Sequence, residues 1–154
     1  MEELTLIIPA KREAESLPSV LEELKKFNVK KKVILQEDDI DTIKSIKNFD
    51  CEIIYQTGKG YGNALKNGLN KVETKYFCIF NADGSFNPSE LKNMVNKIED
   101  PQFNKDIIFA SRYEKNCSSE DDTLLTFIGH KIFTLLGRIF FFFVITDILY
   151  TFVL

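Results

Sequence analysis

The sequence has few of the residues on which several common enzyme classes depend. It contains one histidine, His130, and three cysteines, no two of which stand in a C-x-x-C spacing. A structural zinc site needs several cysteine and histidine ligands, so no such site is expected. A single histidine also argues against Ser-His-Asp and Cys-His hydrolases. The odd number of cysteines predicts free thiols in a reducing cytoplasm rather than a secreted disulfide framework.

A strong excess of either charge and long apolar runs are also missing. Twenty basic and 23 acidic side chains give a net charge of −3, which argues against nucleic acid as a partner. In the apolar C-terminal region the longest charge-free stretch is 139–146, well short of the ~20 apolar residues of a membrane-spanning helix. Met1 is followed by two glutamates, so no secretory signal is expected.

The composition changes once along the chain. Residues 1–122 mix charged and apolar side chains, whereas residues 123–154 are strongly apolar around Phe140–Phe143. Apolar residues in the second region recur at helical spacing, which predicts a helix, but further phenylalanines fall outside the stripe. A helix that is apolar on several faces must be covered by protein or rest on a membrane surface, and the sequence leaves both open.

Strand-like and helix-like segments alternate before residue 122. Apolar runs predict strands at 4–8, 33–35, 51–55, 76–80 and 107–110, and helices are predicted at 16–27, about 39–47, 62–72 and 89–98. Near-continuous apolar strands separated by helices indicate an α/β fold with a mostly parallel sheet covered on both faces. The basic residues Lys25–Lys26 and Lys30–Lys32 are predicted to be a solvated helix end and loop.

The candidate site lies in the segments that follow the predicted strands, because parallel sheets bind ligands beyond the carboxyl ends of their strands. These segments are Pro9–Glu13, Gln36–Asp39, Gln56–Gly62, Asn81–Ser85 and Ser111–Tyr113. Their acids can hold a divalent cation, and Lys59 and Arg112 can face phosphate oxygens. No segment is specific alone, since the glycine loop matches neither a Walker loop nor a dinucleotide fingerprint.

Taken together and in order, these segments resemble glycosyltransferase family 2. The resemblance is strongest with the branch that glycosylates dolichyl or polyprenyl phosphate, and it rests on Ile7–Glu13, the acids around Glu37, Gly58–Leu65, Asn81–Pro88 and Ser111–Tyr113. It implies a GT-A nucleotide-sugar-binding core at 1–122 and an apolar, helical acceptor-side or membrane-proximal segment at 123–154. It also implies inverting transfer of a hexose from a nucleoside-diphosphate sugar, with Mg²⁺ or Mn²⁺.

The resemblance further implies roles for individual residues. The nucleotide-sugar site would be formed by Pro9, Ala10, Glu13, Glu37, Lys59, Gly60, Ala82, Asp83 and Arg112. The metal would be held by Asn81, Asp83 and Ser85, which match the family's D-x-D-x-Q stretch. Catalysis would fall to Asp83 and Arg112, with Asp147 near the acceptor.

Some positions depart from the family's pattern. Asn81 replaces the first aspartate of the D-x-D stretch, which removes a full negative charge although an amide oxygen can still bind a hard cation. Arg12 stands where the family has asparagine, and the loop 36–39 lacks the usual Asp-Asp-Gly-Ser, so Asp38 can take over the nucleoside contact from Glu37. The chain also ends earlier than family members do, so part of the acceptor side is expected to be missing.

The acceptor stays open between two chemical classes. A lipid phosphate is already anionic near neutral pH, whereas a saccharide hydroxyl needs a carboxylate such as Asp147 to take its proton. The apolar region 123–154 favours the lipid phosphate and a peripheral position on the cytoplasmic face of a membrane. A non-catalytic nucleotide-sugar binder and a nucleotidyltransferase are the remaining alternatives.

Overall fold

The alternation of strands and helices in the sequence is present in the computed structural model, which describes residues 2–111, 123–141, 146–147 and 150–154. In chain order the elements are β1 (Leu4–Pro9), α1 (Leu17–Leu24), β2 (Lys30–Leu35), α2 (Ile40–Ser45), β3 (Glu52–Tyr55), α3 (Tyr61–Leu69), β4 (Tyr76–Ile79), α4 (Glu90–Ile98) and α5 (Leu124–Phe141). Most of their bounds differ from the predicted ones by a few residues at the ends, where helices commonly fray.

The strands β1 to β4 form one parallel sheet in the order β3-β2-β1-β4. The register pairs Ile8 of β1 with Val33 of β2 and Leu6 of β1 with Cys78 of β4. The central strand β1 is buried from Leu4 to Ile8, as expected of an apolar strand that is covered on both faces. The predicted α/β fold with a mostly parallel, GT-A-like sheet is therefore confirmed.

Alternate side chains of the central strands pack on opposite faces of this sheet. Leu6 and Ile8 belong to the larger apolar cluster, which includes α1 and α4, whereas Ile7 and Ile34 pack against α3. Gly68 permits the close approach of α3, because a Cβ at this position would lie 2.5 Å from Ile7 Cγ2. Packing on both faces thus sets the positions of the loops at the carboxyl edge.

The C-terminal residues add an antiparallel segment to the sheet. Val153 bridges both Ile79 of β4 and Phe109, and backbone hydrogen bonds join residue 108 to 154 and residue 110 to 152. The prediction of a fifth strand at 107–110 is therefore wrong in its detail, since this segment makes an isolated bridge at Phe109. The reason is that residues 152–154 occupy the edge beside β4.

An aromatic cluster anchors this C-terminal segment. The ring of Phe152 stacks on Phe86 at 4.6 Å between centroids and meets Phe80 edge-on at 5.5 Å. All three rings are buried, and each such pair contributes about 0.5–1.5 kcal/mol beyond its area burial. Because Phe80 and Phe86 stand on either side of the loop 81–85, the cluster fixes both ends of that loop.

Lys30–Lys32 are not a solvated loop, and that prediction is wrong. They form the first half of β2, and Lys31 and Lys32 are only 8% and 5% exposed. Lys32 Nζ lies 2.6 Å from Glu52 Oε2 on β3, and Lys31 Nζ donates to the backbone oxygen of Val29 at 3.2 Å. Long alkyl stems pack in the sheet while the ammonium groups reach these oxygens.

Helix α5 buries the polar side chains of His130 and Thr134 and exposes several large apolar ones. His130 and Thr134 are 2% and 7% exposed, whereas Ile132, Phe133 and Phe140 are 52%, 56% and 69% exposed. Within the described ranges, no helix has both the length and the hydropathy to cross a bilayer. Phe152 and Leu154 pack in the same apolar core as residues of β1 and α1. The division of the chain into two parts at 122/123 stays a prediction.

Candidate functional site

A cavity of about 440 Å³ lies at the carboxyl edge of the sheet, where the loops after β1, β3 and β4 meet. Its lining includes eight of the predicted site residues, namely Pro9, Ala10, Glu13, Lys59, Gly60, Asn81, Ala82 and Asp83. They come from three separate parts of the chain. The structure therefore places acidic, amide and basic groups around one small volume.

Side-chain amides hold the glycine-rich loop that borders the cavity. Gln36 Nε2 donates to the backbone oxygen of Gly58 at 2.9 Å, and Gln56 Nε2 donates to that of Gly60 at 2.8 Å. The backbone N–H of Gly58 donates to Asn63 Oδ1 at 3.0 Å. Because each contact joins a side chain to the backbone of the loop, the loop has a defined shape before any ligand binds.

Gly60 turns the chain from this loop into α3. Its φ of +88° is in the left-handed region that favours glycine, and its carbonyl accepts the backbone N–H groups of Asn63 and Ala64. Lys59 and Tyr61 flank this turn and line the cavity. A lysine beside the first turn of a helix favours a phosphate group, because both supply positive charge.

The loop 81–85 is closed by hydrogen bonds among the three predicted metal ligands. The backbone N–H of Ser85 donates to Asp83 Oδ1 at 2.9 Å, and Asn81 Nδ2 donates to Ser85 Oγ at 3.1 Å. Asn81 and Asp83 line the cavity, whereas Ser85 does not. In the part of the chain that the structure describes, no three His, Cys, Asp or Glu residues form a metal-binding group.

The donor set therefore fits a cation only in part. One carboxylate and one amide oxygen are ligands that Mg²⁺ and Mn²⁺ accept, but a dedicated site normally has more oxygen ligands. Such a cation would depend on the phosphates of a bound nucleotide for the remaining ligands. Asn81 and Asp83 are the residues that fit this arrangement.

The backbone of the loop after β1 is hydrogen-bonded to side chains at the start of α2. The N–H of Glu13 donates to Thr42 Oγ1 at 3.0 Å, and the N–H of Arg12 donates to Asp39 Oδ2 at 2.6 Å. Arg12 adopts a φ of +60°, a region that is uncommon for residues other than glycine. The hydroxyl of Ser16, the residue before α1, makes no cap hydrogen bond to that helix and donates to Glu13 Oε2. These contacts hold Glu13 at the cavity.

A second cavity of about 760 Å³ adjoins the first and shares Lys11, Glu13, Gln36 and Lys59 with it. Asp38 lines this second cavity, whereas Glu37 is exposed and lines neither. Of the two acids considered for the nucleoside contact, Asp38 is therefore the one that the structure places at a cavity. The predicted nucleoside residue Glu37 is not brought to the site.

The two other predicted catalytic residues are Arg112 and Asp147. Arg112 is outside the described residues, which stop at Ser111 and resume at 123. Asp147 is buried, and its Oδ1 lies 3.3 Å from His130 Nδ1. Neither cavity has Asp147 in its lining. No regular spacing connects His130 with Asp147, so the pair had no signal in the sequence.

Gln36, Gln56 and Tyr61 fall within the predicted site segments and line the cavity, but no individual role was predicted for any of them. Gln36 and Gln56 are the first residues after β2 and β3, and Tyr61 is the first residue of α3. Their position at the carboxyl ends of strands was the available signal. A glutamine side chain is neither an acid, a base nor a nucleophile, so its residue type alone did not indicate a role in the site.

The sequence model of glycosyl transferase family 2 matches residues 5–154. The chain belongs to this family. Three curated proteins, each described as an uncharacterized glycosyltransferase, are 25% identical to it over 96 residues. One is from Mycobacterium bovis and two are from strains of Mycobacterium tuberculosis; the alignments cover 62% of this chain and 44% of the relatives.

Family membership indicates a general class of reaction. Membership of glycosyl transferase family 2 implies sugar transfer from a nucleotide-sugar donor to an acceptor. Enzymes of this family commonly use divalent metals. The matched region spans less than half the length of the curated relatives.

Proposed function

We propose that the protein transfers a hexose with inversion from a nucleoside-diphosphate sugar to a polyprenyl-phosphate-type acceptor, with the help of Mg²⁺ or Mn²⁺. The observation that carries this proposal is the first cavity. Glu13, Lys59–Gly60 and Asn81–Asp83, which are far apart in the sequence, line it together. This combination of one basic and several oxygen-bearing groups suits a diphosphate bridged by a cation.

The two adjoining cavities support a binding mode in which the diphosphate and the nucleoside of the donor occupy different cavities. The diphosphate would lie near Lys59 and the first turn of α3, where positive charge is concentrated. The nucleoside would extend into the larger cavity, which Asp38 lines. Carboxylates accept hydrogen bonds from ribose hydroxyls and base N–H groups, so Asp38 replaces Glu37 in this proposal.

Asp83 and Asn81 would hold the cation. A bound Mg²⁺ or Mn²⁺ supplies positive charge against the negative charge that develops on the departing nucleoside diphosphate. Arg112, which follows Ser111 in the sequence, is assigned to the donor phosphates and adds to this stabilisation. Ser85, through its hydrogen bonds to Asn81 and Asp83, shapes the loop.

The burial of Asp147 supports a lipid phosphate rather than a saccharide as acceptor. A sugar hydroxyl requires a base that can reach it, whereas a phosphate is already ionised near neutral pH. Asp147 is buried against His130, and to act as a base it would have to leave this partner. The lipid-phosphate reaction makes no such demand.

The exposed apolar side chains of α5 support the same acceptor. Phe133, Leu135 and Phe140 are each more than half exposed, and a large exposed apolar patch marks a contact surface. Lys131 and Arg138 are basic residues of the same helix, and both attract anionic lipid headgroups. We propose a peripheral position on the cytoplasmic face of a membrane.

A transfer assay tests this proposal. Radiolabelled GDP-mannose or UDP-glucose is incubated with polyprenyl phosphate and Mg²⁺, and label in the lipid phase is measured. We expect product that a chelator abolishes and that Asp83→Ala eliminates. Asp100→Ala is the matched control, because Asp100 Oδ1 also accepts a backbone N–H in a turn but lies outside the cavity.

The outcomes separate the alternatives. Label on a saccharide instead of the lipid would reject the lipid acceptor. Donor binding without any transfer would favour a non-catalytic binder, which is the alternative suggested by Asn81. Full activity of Asp83→Ala would show that this carboxylate holds no essential cation.

A further inference from the structure

Three basic residues line the region where the two cavities adjoin. Lys11 and Lys59 line both cavities, and Arg12 lines the larger one. Lys11 and Arg12 belong to the loop after β1, whereas Lys59 belongs to the loop after β3, and all three are exposed. Positive charge from two distant parts of the chain is thus brought to one boundary.

These three cations are available to a ligand. Within the described residues none of their side chains forms an ion pair, although Glu13 and Asp39 line the same cavity. The two acids accept hydrogen bonds from neutral groups instead. Asp39 Oδ2 accepts the backbone N–H of Arg12 at 2.6 Å, and Glu13 Oε2 accepts the hydroxyl of Ser16. The ammonium and guanidinium groups therefore keep their charge for an anion.

The backbone at Arg12 has a conformation that arginine seldom adopts. Its φ of +60° lies in the left-handed region, where glycine and asparagine are the more usual residues. Two hydrogen bonds hold this turn, from the N–H of Arg12 to Asp39 and from the N–H of Glu13 to Thr42 Oγ1 at 3.0 Å. Such conformations cluster at ligand sites, where the surrounding contacts maintain them. A large basic side chain at this position therefore points to a role for its guanidinium at the cavity.

The loop 81–85 supplies little charge for holding a metal. Asp83 is the one ionisable residue in its sequence, and Asn81 offers only an amide oxygen. No three His, Cys, Asp or Glu residues form a metal-binding group in the part of the chain that is described. Because a hard cation normally needs more oxygen ligands, this loop is poorly suited to hold one before a nucleotide is bound.

We propose that Lys11, Arg12 and Lys59 bind the donor's diphosphate directly, so that a nucleoside diphosphate binds without a divalent cation. This inference rests on the proposed function, whose donor site it concerns. The paired N–H groups of a guanidinium match phosphate oxygens, and ammonium groups add charge. Because Arg12 lines only the larger cavity, it contacts the phosphate next to the nucleoside. A divalent cation is then needed for transfer and not for donor binding.

Titration calorimetry with GDP and UDP, in excess chelator and again in Mg²⁺, tests the inference without an activity assay. We expect one or both nucleotides to bind in chelator, with a Kd within about tenfold of the value in Mg²⁺. Binding that occurs in Mg²⁺ and is lost in chelator would overturn the inference and leave the proposed function standing. Absence of binding in both conditions would reject both.

Arg12→Asn tests the guanidinium, because asparagine tolerates the left-handed backbone and removes the charge. We expect the affinity in chelator to fall at least about tenfold, and Arg12→Lys to recover part of the loss. Lys47→Asn is the matched control, since Lys47 is exposed and lines neither cavity. An unchanged affinity in Arg12→Asn, or an equal loss in Lys47→Asn, would overturn the assignment of Arg12.

Lys11→Gln is a second variant in case Arg12→Asn does not fold, and it should show a similar loss of affinity in chelator. Kinetics add an independent readout. A contact that is already made in the ground state raises donor KM when it is lost, with kcat changed by less than about threefold. A fall in kcat at unchanged KM in Arg12→Asn would contradict direct donor binding. If wild type binds nucleotide in chelator but transfers no sugar, the proposed function fails while the inference stands.

Discussion

Asn63 Oδ1 accepts the backbone N–H of Gly58 at 3.0 Å, and a Cβ on Gly58 would lie 2.7 Å from Asn63 Nδ2. The Asn63 amide thus occupies the space that a side chain at position 58 would need, and this contact shapes the loop beside the cavity. Asn67 strengthens it, because its Nδ2 donates to Asn63 Oδ1 at 2.9 Å. The glycine at 58 is needed for space rather than for an unusual φ.

Gly58→Ala should therefore weaken donor binding. The added methyl group displaces Asn63, and the loop that carries Lys59 and Gly60 moves with it. We expect the affinity for nucleoside diphosphate to fall about tenfold, equivalent to about 1.4 kcal/mol, in titration calorimetry. Gly62→Ala is the matched control, since a Cβ there meets no atom within 4 Å; equal affinities in the two variants would contradict this role of Asn63.

Gly68→Ala should destabilise the fold rather than the site. A Cβ at Gly68 would lie 2.5 Å from Ile7 Cγ2 and 3.0 Å from Ile34 Cδ1, so α3 must move away from the sheet. Overpacking costs about 1–3 kcal/mol, and the better helix propensity of alanine offsets up to about 1 kcal/mol. Chemical denaturation measures the difference, with Gly129→Ala on α5 as the control; a stabilised Gly68→Ala variant would refute the tight contact.

The central fold was predictable because it depends on local patterns. Apolar runs such as Leu4–Ile8, separated by helical stretches, specify a parallel sheet, and a parallel sheet brings the loops after its strands to one edge. The placement of Glu13, Lys59 and Asp83 around one cavity follows from this topology. Knowing which residues end the strands was sufficient for that part of the site.

Features that depend on distant partners were not predictable in the same way. The local sequence around Lys32 predicts an exposed side chain. Its burial in the sheet depends on the ion pair with Glu52 on β3, which is distant in the sequence. Val153 lies between Ile79 and Phe109, a pairing that no local pattern specifies. The sequence also could not decide which of two adjacent acids contacts the cavity. The turn after β2 places Asp38 in its lining and leaves Glu37 outside.

Asn81→Asp should strengthen the binding of a divalent cation in the presence of nucleoside diphosphate. Replacing the amide by a carboxylate adds a negative charge and a better oxygen ligand beside Asp83. We expect at least about a fivefold gain in Mn²⁺ affinity, measured by electron paramagnetic resonance. Asn87→Asp adds the same charge nearby but outside the cavity, so an equal gain in that variant would point to general electrostatics instead.

The cysteines predict a pH dependence of reactivity and stability. Burial raises the pKa of Cys78, and burial is also the largest cause of the raised pKa of Cys51. Both thiols should therefore alkylate more slowly in the folded protein than after unfolding at about pH 8. Mass spectrometry after iodoacetamide treatment measures this, and rapid native labelling of Cys78 would contradict its burial.

The raised pKa of Cys78 also determines how the free energy of unfolding changes with pH. A thiol with a raised pKa stays protonated in the folded state while the unfolded thiol, with a pKa of 9.0, begins to ionise. The unfolded state then holds fewer protons than the folded state, so the free energy of unfolding should fall as the pH rises above 9.0. Cys78→Ala should reduce this pH dependence in urea titrations, and an unchanged slope would exclude Cys78 as its source.

The exposed side chains of α5 predict binding to anionic vesicles. Phe140 is 69% exposed, and transferring such a ring from water to the lipid interface stabilises the bound state by about 1.5–3 kcal/mol. Phe140→Glu should therefore reduce the fraction that floats with phosphatidylglycerol vesicles by about tenfold or more. Ile107→Glu, at a position 51% exposed outside α5, is the control. Equal losses in both variants would mean that general surface hydrophobicity, and not α5, governs the interaction.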